Sequence, residues 1–266
     1  MANTVLHAIE DRVATLTLNR PDALNALSVE MMEDLAKALS TIRSRGDFDV
    51  LVVEGAGEHF MAGGDINDFA RHLTASPEAR LAAFRAMIEQ YVNPVVTTIQ
   101  GMHQPVVAKV RGACAGFGLS LMLGCDLVVC AESTKFTSAY ASIGLSADGG
   151  MSYFLPRMVG SRKAMELLLL AERFDAQEAL RLGLVNRVVG DAALEDEVAA
   201  LVRRLASGPR HAYGEMKRLV YAAPCGRLEA HLESEAEAFA RCSATGDFGE
   251  GVTAFLQKRK AAFKGR

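Results

Sequence analysis

Two stretches of this 266-residue chain carry almost no side chain: FMAGGDI at 60–66 and GACAGFG at 112–118. Each follows an apolar run, DVLVVEG at 49–55 and PVVAKVR at 105–111. Where side chains are stripped away, the main-chain N–H groups are the chemistry left on offer. One N–H from each turn, both aimed at a single point, would hold an oxygen that gains negative charge during a reaction. If each turn also opens a helix, the helix dipole adds to that attraction. Glycine also serves where backbone must pass close to backbone in a tight turn. Spacing alone leaves both readings open.

Other glycine chemistry is absent. Gly116 and Gly118 begin a dinucleotide fingerprint but Leu121 stands at its last place, and Gly55 and Gly57 fail likewise at Phe60. No G-K-[ST] occurs, and Gly118-Leu119-Ser120-Leu121-Met122 lacks the closing glycine of a nucleophile elbow. The six histidines are scattered without ligand spacing, so no metal site is expected.

The elements that must position these turns follow from periodicity. VATLTLNR (13–20) alternates as a half-buried strand does. Ser28 predicts the cap of a helix to about Arg45, with apolar residues at 31, 32, 35, 38, 39 and 42. Strands are predicted at 49–54 and 105–110, then near 126–131 and 135–138, with a short apolar helix after the second glycine stretch. Ser76-Pro77 starts a helix that should kink or break at Pro94. AMELLLLAE reads as a buried helix, and Asp175 with Glu178 as a capping box for a helix closed by Gly183. After about 190 strand signals stop and four amphipathic helices follow. An α/β core over 1–190 and a helical region over 191–266, suited to oligomerisation, are therefore expected.

Half the residues are apolar and 23% are charged, as in ordinary globular proteins. A net charge of −3 supplies no field for nucleic acid or an anionic membrane. The N-terminus has no signal-peptide pattern, and no apolar run approaches the roughly 18 residues of a membrane span. Cysteines 114, 125, 130, 225 and 242 follow no C-x-x-C spacing, which fits a reduced, cytoplasmic protein.

Five stretches, in order, resemble the enoyl-CoA hydratase/isomerase (crotonase) family: LTLNRPDALNAL (16–27), FMAGGDINDF (60–69), VAKVRGACAGFGLSLMLGCDLVV (107–129), GLSADGGMSYFLPRMVG (144–160) and AFLQKRKAAF (254–263). The resemblance implies an α/β fold, a spiral of strand-strand-helix turns with a C-terminal helical trimerisation region. It implies homotrimers or dimers of trimers, a coenzyme A thioester as substrate, and no permanently bound cofactor. By position it places oxyanion N–H groups at Gly64 and Phe117, where they would stabilise a thioester enolate. It sets the CoA moiety against Ala23, Leu24, Ala26, Ala62, Asp65 and Ile66. The adenine end falls near Phe255 and Lys258, supplied by a neighbouring subunit.

The hydratases of that family use two glutamates, at positions held here by Ser120 and Tyr140. A different carboxylate, Asp148, stands where certain enoyl-CoA isomerases and the ring-opening isomerases of phenylacetyl-CoA catabolism carry their catalytic acid. Chlorobenzoyl-CoA dehalogenases use that place for a nucleophile. The resemblance therefore implies an isomerase, moving a double bond from Δ3 to Δ2 or opening a ring, with Asp148 as proton carrier. Ala147 replaces the proline that precedes this aspartate in those relatives. Asp148 also suits an N-cap for a helix beginning at Gly149. Beside Phe117, Met151 and Phe154, burial should raise its pKa. Tyr140 is expected to line the pocket. His59 and His72, near or after the first glycine turn, are the other candidates for moving a proton, and His72, in the variable segment ARHLTASPEARL, is expected to be solvated. The alternatives are a hydratase with a non-standard base and an acyl-CoA binder without catalysis.

Overall fold

The two apolar runs ahead of the glycine stretches are neighbouring parallel strands. The computed structural model describes residues 3–265, apart from the Cys225 side chain. Its strands are β1 (Val5–Glu10), β2 (Val13–Leu18), β3 (Val50–Gly55), β4 (Val106–Val110), β5 (Ala113–Ala115), β6 (Leu127–Ala131), β7 (Lys135–Thr137), β8 (Phe174–Asp175) and β9 (Arg187–Val189). One sheet runs β1-β2-β3-β4-β6-β9 and a smaller one runs β5-β7-β8. From β2 to β9 the large sheet is parallel, and β1 joins it antiparallel.

Parallel strands covered on both faces read as unbroken apolar runs, and strand periodicity divides those runs between two cores. Leu51, Val53, Val106, Ala108, Val110, Val128 and Cys130 face the larger core. Val50, Val52, Val107 and Val129 face the other, where they meet Leu194, Val198, Leu201 and Val202 of a C-terminal helix.

Helix α1 (Val29–Arg45) opens on Ser28, whose Oγ accepts a 3.2 Å bond from the Met31 N–H, and it buries the six apolar positions read from the sequence. After the five-residue α2 (Ile66–Ala70), helix α3 (Pro77–Met87) is capped by Ser76. Of the kink or break expected at Pro94, the break does not occur. One π-turn, Ile88–Val92, leads without interruption into α4 (Asn93–Gln100), with Pro94 in its first turn. The wider turn absorbs the missing N–H, so the chain stays helical.

Helix α5 (Phe117–Leu123) is wholly buried, and α6 (Met151–Leu170) is interrupted at Gly160, whose φ of 77° and ψ of 157° are not helical. The run AMELLLLAE is helical but not buried as expected: Met165, Leu169 and Leu170 are exposed. Consecutive leucines point about 100° apart, so one core-facing side accommodates Leu167 and Leu168 and leaves the others outside. Helix α7 (Ala176–Arg181) keeps half of its predicted capping box. Asp175 accepts from the Glu178 N–H at 2.9 Å, while the Glu178 carboxylate turns to Arg181.

Beyond β9 the chain forms α8 (Leu194–Ala206), α9 (Arg210–Ala222), α10 (Leu228–Ser243) and α11 (Gly246–Leu256). Helix α8 covers the second face of the sheet. Helix α9 is tied to the sheet end at Asp126, which receives Lys217 Nζ at 2.8 Å and the Tyr221 hydroxyl at 2.5 Å. Cys114, Cys125, Cys130 and Cys242 are free thiols, and Cys225 lies outside the described side chains. Among the described residues no helix is long and apolar enough to cross a membrane.

Glu215 joins α9 to α10. Its buried carboxylate accepts from Arg241 at 2.8 Å and Arg218 at 2.9 Å, and these arginines hold its pKa down at about 2. A lowered carboxylate pKa stabilises the fold above the ordinary value of 4.5, and that stability is lost as the pH falls towards 2. Glu215→Gln should therefore cost about 1–3 kcal/mol at neutral pH. Thermal melts should show the gap to wild type closing as the pH is lowered through this range.

Candidate active site

The site begins with a register. Met61 and Cys114 form an isolated parallel bridge: the Met61 N–H donates to Ala113 O at 3.0 Å, and the Ala115 N–H to Met61 O at 2.9 Å. Three residues further along each strand stand Gly64 and Phe117. The two glycine stretches therefore run side by side and end level with one another. The reading as close backbone packing also holds, because a β-carbon on Gly116 would lie 3.2 Å from the Gly63 α-carbon. Gly116 has a φ of 51°, in the left-handed region that glycine tolerates.

The two N–H groups are freed in different ways. Phe117 opens α5, so its N–H is one of the unpartnered donors of a helix start. Gly64 is not at a helix start, contrary to the expectation for that turn: Asp65 intervenes as the N-cap of α2, accepting from the Asn67 N–H at 3.0 Å. Gly64 instead bridges to Leu27, with the Leu27 N–H donating to Gly63 O and the Asp65 N–H to Leu27 O. Successive strand N–H groups point to opposite sides, which turns that of Gly64 away from Leu27.

Both residues line one cavity of about 220 Å³, together with Ala62, Ile66, Tyr140 and Asp148. Its apolar wall comes from Phe69, Phe84, Met87 and Ile88. The sequence reading passed over these four, although the last three share a helical spacing. Asp148 does not cap the following helix. Gly149 and Gly150, with φ of 59° and 82°, delay that helix to Met151, and only the Asp148 carbonyl accepts from its first turn. A β-carbon at Gly149 would stand 2.8 Å from the Phe117 ring, so glycine is what lets Asp148 come up against Phe117.

The Asp148 carboxylate faces Tyr140 instead. The Tyr140 hydroxyl donates to Asp148 Oδ1 at 2.6 Å and lies 3.0 Å from Ser120 Oγ, which donates to the Asp148 carbonyl at 2.9 Å. The two positions that lack the hydratase glutamates thus carry hydroxyls that orient the remaining carboxylate. Burial raises the Asp148 pKa above its ordinary value, and the Tyr140 bond opposes that rise. Burial and the adjacent carboxylate push the Tyr140 hydroxyl far above its usual range, so it remains a donor.

The remaining expected residues lie outside the cavity lining. Leu24 O accepts from the Ala62 N–H at 3.0 Å, stitching the loop that carries Ala23, Leu24 and Ala26 to the first glycine stretch. Arg20 fixes the same loop by donating to the Ala26 carbonyl and pairing with Asp65 at 2.8 Å. Phe255 and Lys258 are exposed at the end of α11, apart from the cavity. His59, a candidate proton carrier by sequence, is absent from the cavity lining; its Nδ1 accepts from the Ala113 N–H at 3.0 Å and braces β5. His72 is half-buried, edge-on to Phe84 with ring centres 5.2 Å apart. Among the described residues no cluster of three His, Cys, Asp or Glu could hold a metal ion.

The sequence profile of one family, enoyl-CoA hydratase/isomerase, matches residues 8–266. The chain belongs to that family. It is 35% identical over 266 residues to the 1,2-epoxyphenylacetyl-CoA isomerase of Escherichia coli K12, covering all of both chains. It is also 35% identical over 255 residues to the crotonyl-CoA hydratase of Syntrophomonas wolfei, covering 96% of this chain and 95% of that one. Among solved structures, the enoyl-CoA hydratase of Mycobacterium smegmatis superposes with a TM-score of 0.88 at 32% identity, covering 97% of this chain and 98% of that one. The fold is therefore the crotonase fold, and the chain is an acyl-CoA enzyme of a family that includes isomerases and hydratases.

A carboxyl whose pKa is raised on folding favours the protonated native state, so its ionisation weakens the fold as the pH climbs from the ordinary value of 3.8 through the raised one. Asp148→Asn removes that ionisation while keeping an acceptor for Tyr140. The variant should melt above wild type at neutral pH, and the difference should vanish in melts below the ordinary aspartate value.

Proposed function

We propose that this enzyme is an enoyl-CoA isomerase in which Asp148 carries a proton between two carbons of the acyl chain. The carrying observation is the 2.6 Å bond from Tyr140 to Asp148, which sets one oriented carboxylate in the cavity while both hydratase glutamate positions hold hydroxyls. The carboxylate removes a proton from the carbon next to the thioester. The electron pair left behind spreads onto the thioester oxygen, which the Gly64 and Phe117 N–H groups hold as it becomes an enolate. When the pair returns through the double bond, Asp148 gives the same proton to the carbon two places further along. Protons and electrons balance within the acyl group and one carboxyl. Adding water requires a second group to activate it, and the family's usual second carboxylate is missing. No resident cofactor enters; the coenzyme A thioester is substrate.

Ring-opening isomerisation draws on the same oxyanion site and carboxyl, and the likeness to 1,2-epoxyphenylacetyl-CoA isomerase supports it as the variant for a ring-bearing acyl group. Hydration is the competing reading, favoured by the equal identity to crotonyl-CoA hydratase. For assembly we favour a trimer or dimer of trimers: α10 and α11 expose Phe239, Phe255 and Leu256, apolar surface that a neighbouring subunit would cover and that would bring Phe255 and Lys258 towards bound CoA. Free buried thiols fit a reducing compartment such as the cytoplasm.

Incubated with 3-enoyl-CoA, the enzyme should form the 2-enoyl product, and Asp148→Asn should lower the rate at least about a hundredfold with acyl-CoA binding retained. Efficient hydration of crotonyl-CoA without any double-bond shift would replace this reading with the hydratase one. Tyr140→Phe removes the bond that lowers the Asp148 pKa. Because the ionised form is the base, the acid limb of the pH–rate profile should move to higher pH in that variant.

A further inference from the structure

A second cavity adjoins the apolar wall of the one at Asp148. Ile66, Phe69, Phe84, Ile143 and Leu145 also line this second cavity, of about 250 Å³, whose further lining includes His72 and Arg80. The two spaces thus share these five apolar side chains as lining. Arg80, Phe84 and Met87 stand at i, i+4 and i+7 of α3, on one helical face. At 1.5 Å per residue, Arg80 lies about 10 Å along the helix from Met87, which lines the cavity at Asp148 and not the second one.

The charge state of this far end is distinctive. The segment from α2 through α3 to the π-turn carries three arginines. Arg71 pairs with Asp68 at 2.9 Å and Arg85 with Glu89 at 2.8 Å. Arg80 pairs with no carboxylate among the described residues. Its one hydrogen bond, to Leu73 O, is 3.4 Å long, beyond the usual range. The nearest acid in sequence, Glu78, is bound to the Ser76 cap and its own N–H. Beside Arg80, the His72 ring rests edge-on against Phe84 and offers a second polar group. Movement of that shared wall would join the two spaces into one apolar passage ending in an unpaired guanidinium and an imidazole, which suits a chain with a hydrogen-bond-accepting anion at its tip.

We infer that the enzyme binds acyl-CoA whose acyl chain ends in a carboxylate, received by Arg80 with His72 beside it. The inference rests on the reading of the Asp148 cavity as an acyl pocket. An extended chain advances about 1.2 Å per bond, so bridging 10 Å calls for an acyl group of about ten carbons. The intervening methylenes are covered by Phe69 and Phe84, whose rings lie 5.3 Å apart, and by Ile143 and Leu145. A guanidinium holds a carboxylate by charge-assisted, often paired, hydrogen bonds, which a terminal methyl group cannot replace.

The test uses two saturated ligands of equal length, decanoyl-CoA and its ω-carboxy analogue sebacoyl-CoA, titrated calorimetrically into the intact enzyme. Sebacoyl-CoA should bind about tenfold more tightly, the gain expected of a half-exposed charge-assisted pair. The ratio should shrink with added salt, fall to about one in Arg80→Gln, and recover in part in Arg80→Lys. Equal or weaker binding of sebacoyl-CoA, a ratio that survives Arg80→Gln, or no binding of either ligand overturns the inference. Neither ligand has a double bond, so this outcome is independent of the reaction assigned to Asp148. A protein that prefers sebacoyl-CoA but shifts no double bond keeps the distal subsite and loses the isomerase reading, and the reverse result separates them the other way.

Discussion

The closeness of two backbones, Gly63 against Gly116, is the constraint on which the site depends. The Met61–Cys114 bridge sets the register and the absence of β-carbons sets the spacing. Any side chain at Gly116 would force the strands apart or strain a left-handed φ. The separation of the Gly64 and Phe117 N–H groups is thus fixed by the main chain, which deforms less readily than a rotamer. Preorganised donors of this kind need no rearrangement when charge appears. His59, Asn25 and Arg20 act on the same register from behind. Buried Asn25 donates to Ala56 O and His59 O, closing the loop that leads into the first glycine stretch.

Around that fixed pair, the polar groups are arranged with few alternatives. Tyr140 has one hydrogen and gives it to Asp148, and Ser120 gives its own to the backbone of the same residue. Both hydroxyls sit in a buried setting where an unmade bond is costly. The carboxylate is held without being neutralised by a cation, which leaves it basic. An arginine at either hydroxyl position would pair with the carboxylate, lower its pKa and weaken it as a proton acceptor.

Much of this was legible in the chain. The parallel strands were visible because doubly buried strands are unbroken apolar runs, and α1 because its cap and six buried positions share one period. Gly64, Phe117 and Asp148 came from resemblance, and the structure brings them to one cavity. The misreadings have physical causes. Pro94 predicts a kink or a break, and the break is avoided because a π-turn, which sequence rules do not anticipate, stands ahead of it. The leucines of α6 read as buried because composition is blind to which side of a helix faces the core. Asp148 suggested a cap because the local rule does not see Tyr140, eight residues upstream and folded back on it. His59 read as a candidate proton carrier because its backbone partner, the Ala113 N–H, is 54 residues away. The wall of Phe69, Phe84, Met87 and Ile88 was missed because neither α2 nor α3 has a fully buried residue to announce it.

The π-turn at Ile88–Val92 has a consequence for how such a pocket changes over time. It holds one residue more per turn than an α-helix, so it works as a rotational joint between α3 and α4. Helix α4 is anchored in the core through Val95 and Ile99, whereas α3 presents Phe84 and Met87 to the cavity at Asp148, and Arg80 and Phe84 to its neighbour. Loss of one residue within 88–92 would restore α-helical winding and turn α3 by about 100° relative to α4. Phe84 and Arg80 would leave these cavity walls together and a different set of side chains would replace them, with the glycine stretches and Asp148 untouched. A single codon deletion could in this way exchange the chemistry of the substrate tail while conserving the chemistry of the reaction.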